Sequence, residues 1–177
     1  MKKVIFMLAV ALSVVTASAQ INVGLYGGAQ ISKDSDFDFN NMGFGGGISG
    51  EYLIIPNFGL GVNAGYYILD SEKHGDSSMT SYLLPVNLFG KFYFLTKGFR
   101  PYGGVEGGLF TAGVTGKYAG QSMSNSSSKF GVGPVVGFQI GNKVAIDFHA
   151  KYSHIFIDGG STGFFGANLG LIFRLGR

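Results

Sequence analysis

The chain has no cysteine among its 177 residues, so it holds no disulfide, no thiolate nucleophile and no cysteine-based zinc site. Charge is scarce: Asp, Glu, Lys and Arg make up 13% of the residues, where about 25% is usual in soluble domains. Beyond residue 20 no segment reaches the roughly 20 apolar residues of a membrane-crossing helix, although mean hydropathy is positive. Helical periodicity is missing there too. The few basic residues do not cluster into the patch that nucleic acid requires, so no nucleic-acid partner is expected. In excess is glycine, with 31 residues, or about 17% where about 7% is usual.

The N-terminus differs from the rest. Lys2 and Lys3 precede an apolar run, Val4–Val15, and Ala17-Ser18-Ala19 has the small-residue pattern of a processing site. This is the layout of a secretory signal peptide over residues 1–19, cleaved after Ala19. One domain, residues 20–177, would then be exported with 11 basic and 10 acidic residues.

From Gln20 onward apolar residues alternate with glycine and polar residues. The pattern recurs over residues 21–31, 42–54, 58–69, 80–95, 101–118, 129–141, 144–156 and 164–176. A period of two sustained this long predicts strands, eight of them. In the fifth the apolar parity slips near Ala112-Gly113-Val114, which predicts a bulge. Pro85 and Pro134 fall inside strands and predict a local break or bulge, because each removes a ladder donor. Short connections at 55–57, 96–99 and 141–143 alternate with longer polar ones at 32–41, 70–79, 119–128 and 157–163. That arrangement is an up-and-down meander with short turns at one end and long loops at the other.

Two closed barrels fit eight such strands. A soluble barrel would turn the Gly, Asn, Ser and Gln face to water, and that face carries too little charge for a soluble exterior. The reverse assignment gives an all-β, eight-stranded antiparallel transmembrane barrel with lipid outside and a polar lumen. Its lipid-facing aromatics are Phe44, Tyr52, Phe58, Tyr66, Tyr82 and Phe92 in the first half of the barrel. Phe94, Phe130, Phe138, Phe148, Tyr152, Phe165 and Phe173 follow in the second. The lumen collects Glu51, Glu106 and Asp147 with Lys91, Lys151 and Arg174, and His149 beside them. Asp147 is expected to find Lys91 or Arg174, and Lys151 to find Glu51 or Glu106, since residues two apart on one strand stack up the lumen.

Signal peptide, alternating strands, short turns and long loops together resemble the small bacterial outer-membrane barrels of the OmpA and OmpX type. The likeness covers the whole chain from Gln20. It implies residence in the bacterial outer membrane, with outer-membrane lipid, lipopolysaccharide and the barrel assembly machinery as partners. In that family the last strand usually ends in an aromatic residue, whereas here Phe173 is followed by "RLGR". An extracellular ligand would be met by the loops 32–41, 70–79, 119–128 and 157–163.

The lumen charges predict a salt-bridged plug, because an eight-stranded interior is just wide enough for side chains. An ion path or a small-solute channel is the alternative. Lipid A-modifying barrels need Ser, His and a carboxylate in contact. His154 faces lipid here without an outward Ser and Glu beside it, and His74 lies in a polar loop, so no enzymatic activity is expected. Asp34, Asp36, Asp38 and Asn40 alternate as calcium ligands can. Phe39 and Gly45, however, stand where an EF-hand loop needs Gly and Glu. No metal and no cofactor are expected.

Overall fold

A computed structural model describes residues 20–32, 42–74, 77–118, 121–157 and 159–175. The residues read as signal peptide and the Asp34–Asn40 loop lie outside these. The elements are β1 (Gln20–Ser32), β2 (Met42–Ile55), β3 (Phe58–His74), β4 (Ser77–Tyr93), β5 (Phe99–Tyr118), β6 (Gln121–Gly141), β7 (Val144–Ile157) and β8 (Gly160–Leu175). Each pairs antiparallel with its neighbour in sequence, and β1 pairs with β8 to close the barrel.

The stagger can be followed residue by residue. A row of partners starting at Gln20 runs through Leu53, Gly59, Lys91, Gly104, Val135, Lys151 and Gly166. It re-enters β1 at Gln30, ten residues further along. With the usual strand spacings, that advance corresponds to a strand tilt of about 40°.

Alternation decides what faces where. Leu88 is 68% exposed and Phe94 63%, while Tyr67 and Tyr93 are fully buried. All thirteen aromatics named above lie on the outward parity, and Phe44, Tyr66, Phe92 and Phe165 are among the most exposed. In water such a surface would associate; in hydrocarbon it is the solvated face. The inward positions form two apolar clusters: Leu53, Tyr93, Tyr102 and Val135 near the short turns, and Tyr67, Leu83, Phe110 and Ile155 near the opposite end.

Several local expectations are corrected. No bulge occurs at Ala112–Val114, since β5 keeps one register with β4 and β6 throughout. The parity slip there marks the end of the apolar belt, above which neither face is held to lipid. Register instead shifts in the β2–β3 pair between Leu53 and Ile55, and in the β3–β4 pair between Ile68 and Asp70. At the prolines the ladder breaks without a shift. Pairing of β3 with β4 skips from Ala64–Val86 to Tyr67–Leu83, around Pro85. Pairing of β6 with β7 skips from Val132–His154 to Val135–Lys151, around Pro134.

Two of the long loops, 70–79 and 119–128, are mostly strand over their described residues. β3 continues to His74 and β4 starts at Ser77, while β5 and β6 pair up to Tyr118 and Gln121. The segment 157–163 is likewise reduced to a tight turn between Ile157 and Gly160 that includes Gly159, at φ 86°. Upper β3, β4, β5 and β6 form a four-stranded sheet rising on one side of the rim. From Leu109 to Tyr118 it climbs about 30 Å along the strand. Backbone pairing runs through this sheet, and so a polar sequence can form it.

Candidate functional site in the barrel lumen

The inward side chains fill the lumen in layers. Nearest the short turns, Glu51 accepts hydrogen bonds from Tyr93 Oη at 2.7 and 2.8 Å and from Asn22 Nδ2 at 2.6 Å. Arg100, 2% exposed, stacks over the Tyr93 ring at 4.2 Å. Arg174, half-buried, donates to the turn carbonyls of Gly141 and Asn142 at 2.7 and 2.8 Å and to Gln139 Oε1 at 3.1 Å. Gln139 in turn donates to Tyr93 Oη at 3.3 Å.

The middle layer holds the remaining charges. Lys151 Nζ lies 2.9 Å from Glu106 Oε1, and Asn63 Nδ2 donates to Glu106 Oε2 at 3.2 Å. Asp147 Oδ2 lies 2.7 Å from His149 Nδ1, and Asp147 also accepts from Tyr102 Oη at 3.0 Å. Lys91 Nζ sits over the rings of Phe89 and Tyr102 at 4.5 and 4.7 Å, a cation–π arrangement. Between these groups is a cavity of about 20 Å³, bordered by Lys91, Glu106, Asp147, His149 and Lys151. That space is of the order of a single water molecule. Above it Tyr67 donates to Asn168 Oδ1 at 2.8 Å, within the second apolar cluster.

Of the expected partnerships, Lys151 meets Glu106, one of the two acids named for it. Asp147 meets neither Lys91 nor Arg174. Its partners are His149, two residues along the same strand, and Tyr102. In so narrow a barrel the twist of β7 brings successive inward side chains into contact, while the turn carbonyls hold Arg174 and the aromatic rings hold Lys91. Arg100, Tyr93 and Tyr102 were not anticipated as site residues. Their signal was present in parity, because Tyr93 lies between the outward Phe92 and Phe94.

Phenols therefore donate to two of the three buried carboxylates, Glu51 and Asp147. Tyr93→Phe removes the hydroxyl whose proton is shared between the two Glu51 oxygens and should destabilise the folded barrel by about 2 kcal/mol, the scale of a hydrogen bond to a charged group. Urea unfolding in detergent micelles, read as a shift of the midpoint, measures this.

His154 is outward, with its ring 5.0 Å from that of Phe156 and 6.4 Å from that of Tyr152. Among the described residues no group of three or more His, Asp or Glu is placed to hold a metal ion.

An apolar exterior around a closed ring of eight tilted strands, filled by hydrogen-bonded polar side chains, defines a small membrane-spanning β-barrel. The chain belongs to the family described as "Outer membrane protein beta-barrel domain", whose profile matches residues 4–173. It is thus a bacterial outer-membrane protein. No curated protein matches the sequence. Among solved structures it is similar to Neisserial surface protein A, with a TM-score of 0.61 and 17% identity, covering 89% of this chain and 97% of that one. A major outer membrane protein of Thermus thermophilus gives 0.59 and 15%, over 89% and 99%. The attachment invasion locus protein Ail of Yersinia pestis gives 0.57 and 15%, over 88% and 97%.

Proposed function

We propose that the protein is a non-conducting, non-enzymatic barrel that presents the raised sheet of β3–β6 at the cell surface as an interaction platform. The observation that carries this reading is the sheet itself. It extends well past the apolar belt, and Ser124–Ser128 at its edge are exposed. The layered lumen supports it from the other side, leaving no space wider than about a water in its charged middle.

Charge distribution bears on the kind of ligand. Segments 33–41, 70–79, 112–129 and 157–163 hold seven of the ten acidic residues and only four lysines. The Yersinia pestis relative was solved with a heparin analogue, sucrose octasulfate. An acidic outer end favours a neutral or basic partner over such a sulfated polyanion.

Surface display tests the reading. Cells carrying the chain should bind some protein or glycan of a basic, neutral and acidic panel, and binding should be lost when residues 113–126 are replaced by a two-residue turn. Heparin should not be bound. A shortened chain that keeps all binding, or a full chain that binds only heparin, contradicts the proposal.

A further inference from the structure

The two ends of the barrel differ in charge. The end with the raised sheet holds most of the acidic residues, whereas none of the three short turns, 55–57, 96–99 and 141–143, contains an acid. Four cations gather at the short-turn end instead. Lys97 and Lys143 are exposed on two of the turns. Arg100 and Arg174 stand at the inner mouth of the lumen, on the inward parity, opposite the buried Gln139 and Asn22.

These arginines are not neutralised where they stand. Among the described residues neither has a carboxylate within 4 Å. Glu51, the acid of this layer, is taken up by Tyr93 and Asn22. Arg100 is 2% exposed, and its hydrogen bond is a long one, from Nη2 to the Pro56 carbonyl of the first turn at 3.4 Å. Its Nε, like that of Arg174, is buried without a hydrogen-bond partner. A buried charge is costly unless it is paired, so the mouth holds positive charge that nothing in the layer offsets.

The frame around it is fixed. The Gly141 N–H donates to the Gly98 carbonyl at 3.3 Å, joining the second and third turns, and the Arg174 N–H donates to the Lys143 carbonyl at 2.9 Å. Asn57 of the first turn donates from Nδ2 to the Tyr93 carbonyl at 2.8 Å. Turns and strand ends are thus tied together before anything binds, which lowers the cost of binding.

Size and shape narrow the partner. Eight strands at this tilt enclose a mouth about 16 Å across. Alternate side chains of an extended chain lie about 7 Å apart, so two or three carboxylates on one face of it span the mouth. Each guanidinium is a planar fork that can take a carboxylate with two hydrogen bonds. Phospholipid head groups ring the barrel but do not lie beneath its mouth, and a partner that arrives along the barrel axis is therefore a soluble one.

We propose that the short-turn end is a docking surface for an extended acidic segment of a periplasmic protein, its Asp and Glu carboxylates set against Arg100, Arg174, Lys97 and Lys143. The periplasmic side follows from the surface reading of the raised sheet, on which this proposal rests.

The first test titrates the folded protein, in zwitterionic micelles, with fluorescent hexaglutamate. Binding should weaken as salt rises. Lys97→Glu combined with Lys143→Glu should weaken it at least about tenfold, and Arg174→Gln about tenfold. Lys117→Glu, at the opposite end, should change nothing. Heat-dependent gel mobility verifies that each variant is a closed barrel. The second test treats intact cells with a carbodiimide, which joins lysine amines to carboxylates and leaves phosphates unjoined. Lys97 or Lys143 should be recovered coupled to Asp or Glu of a periplasmic protein. The titration is indifferent to orientation, whereas surface display of the raised sheet depends on it, so the two readings fail separately. Undiminished hexaglutamate binding by the double lysine variant, its complete displacement by phosphatidylglycerol added to the micelles, or coupling in cells only to carboxylates of the cell-wall glycan each overturns the proposal.

Discussion

Lys151→Met should destabilise the barrel by about 3–5 kcal/mol, the cost of leaving a buried charge without its partner. Glu106 is 5% exposed and its only cation within 4 Å among the described residues is Lys151. Asn63 remains as a single neutral donor. Double replacement, Lys151→Met with Glu106→Leu, should recover most of that loss, because no charge is then stranded. Unfolding midpoints of the two variants in urea, measured in the same micelles, decide it. Equal destabilisation by the single and double changes would mean that packing, and not charge burial, holds this layer.

Gly133→Ala should prevent the barrel from closing. Gly133 is on the inward parity of β6 beside the break at Pro134, and an added Cβ would overlap the carbonyl oxygen of Tyr152 on β7. Backbone cannot step aside as a flexible side chain can, so the strands would have to separate at the seam where their ladder is already interrupted. Overpacking in a well-packed interior typically costs about 1–3 kcal/mol, and more is expected against a fixed carbonyl. The folded, faster-migrating form on an unheated gel should be lost. Gly116→Ala, where a Cβ meets nothing within 4 Å, is the matching control and should fold normally.

The contrast between these two glycines shows what the sequence could and could not reveal. Alternation of apolar and small polar residues identifies eight strands and both faces, because lipid on one side and a narrow lumen on the other constrain every second position. Above the apolar belt that constraint ends. "SSM" (77–79) and "QSMSNSSS" (121–128) read as loops although they pair as strands, since cross-strand register and not side-chain polarity defines them. Lumen charges are legible from parity alone. Their partners are not, because contact depends on stagger around the barrel. The row linking Lys91, Lys151 and Gln30 is set by cross-strand register, which no local pattern announces. Arg100 was missed for a related reason: it precedes Pro101 at a strand start, where alternation has too few residues to show.

The layered lumen is the centre of the account, and planar-bilayer recording of the folded, purified protein tests it most directly. Two apolar clusters above and below a paired charge layer should block ion flow, so the current should stay at the bare-membrane baseline, with the protein's insertion verified independently. Reproducible single-channel steps of large, uniform size would mean that the side chains leave a continuous aqueous path, and would contradict the plug.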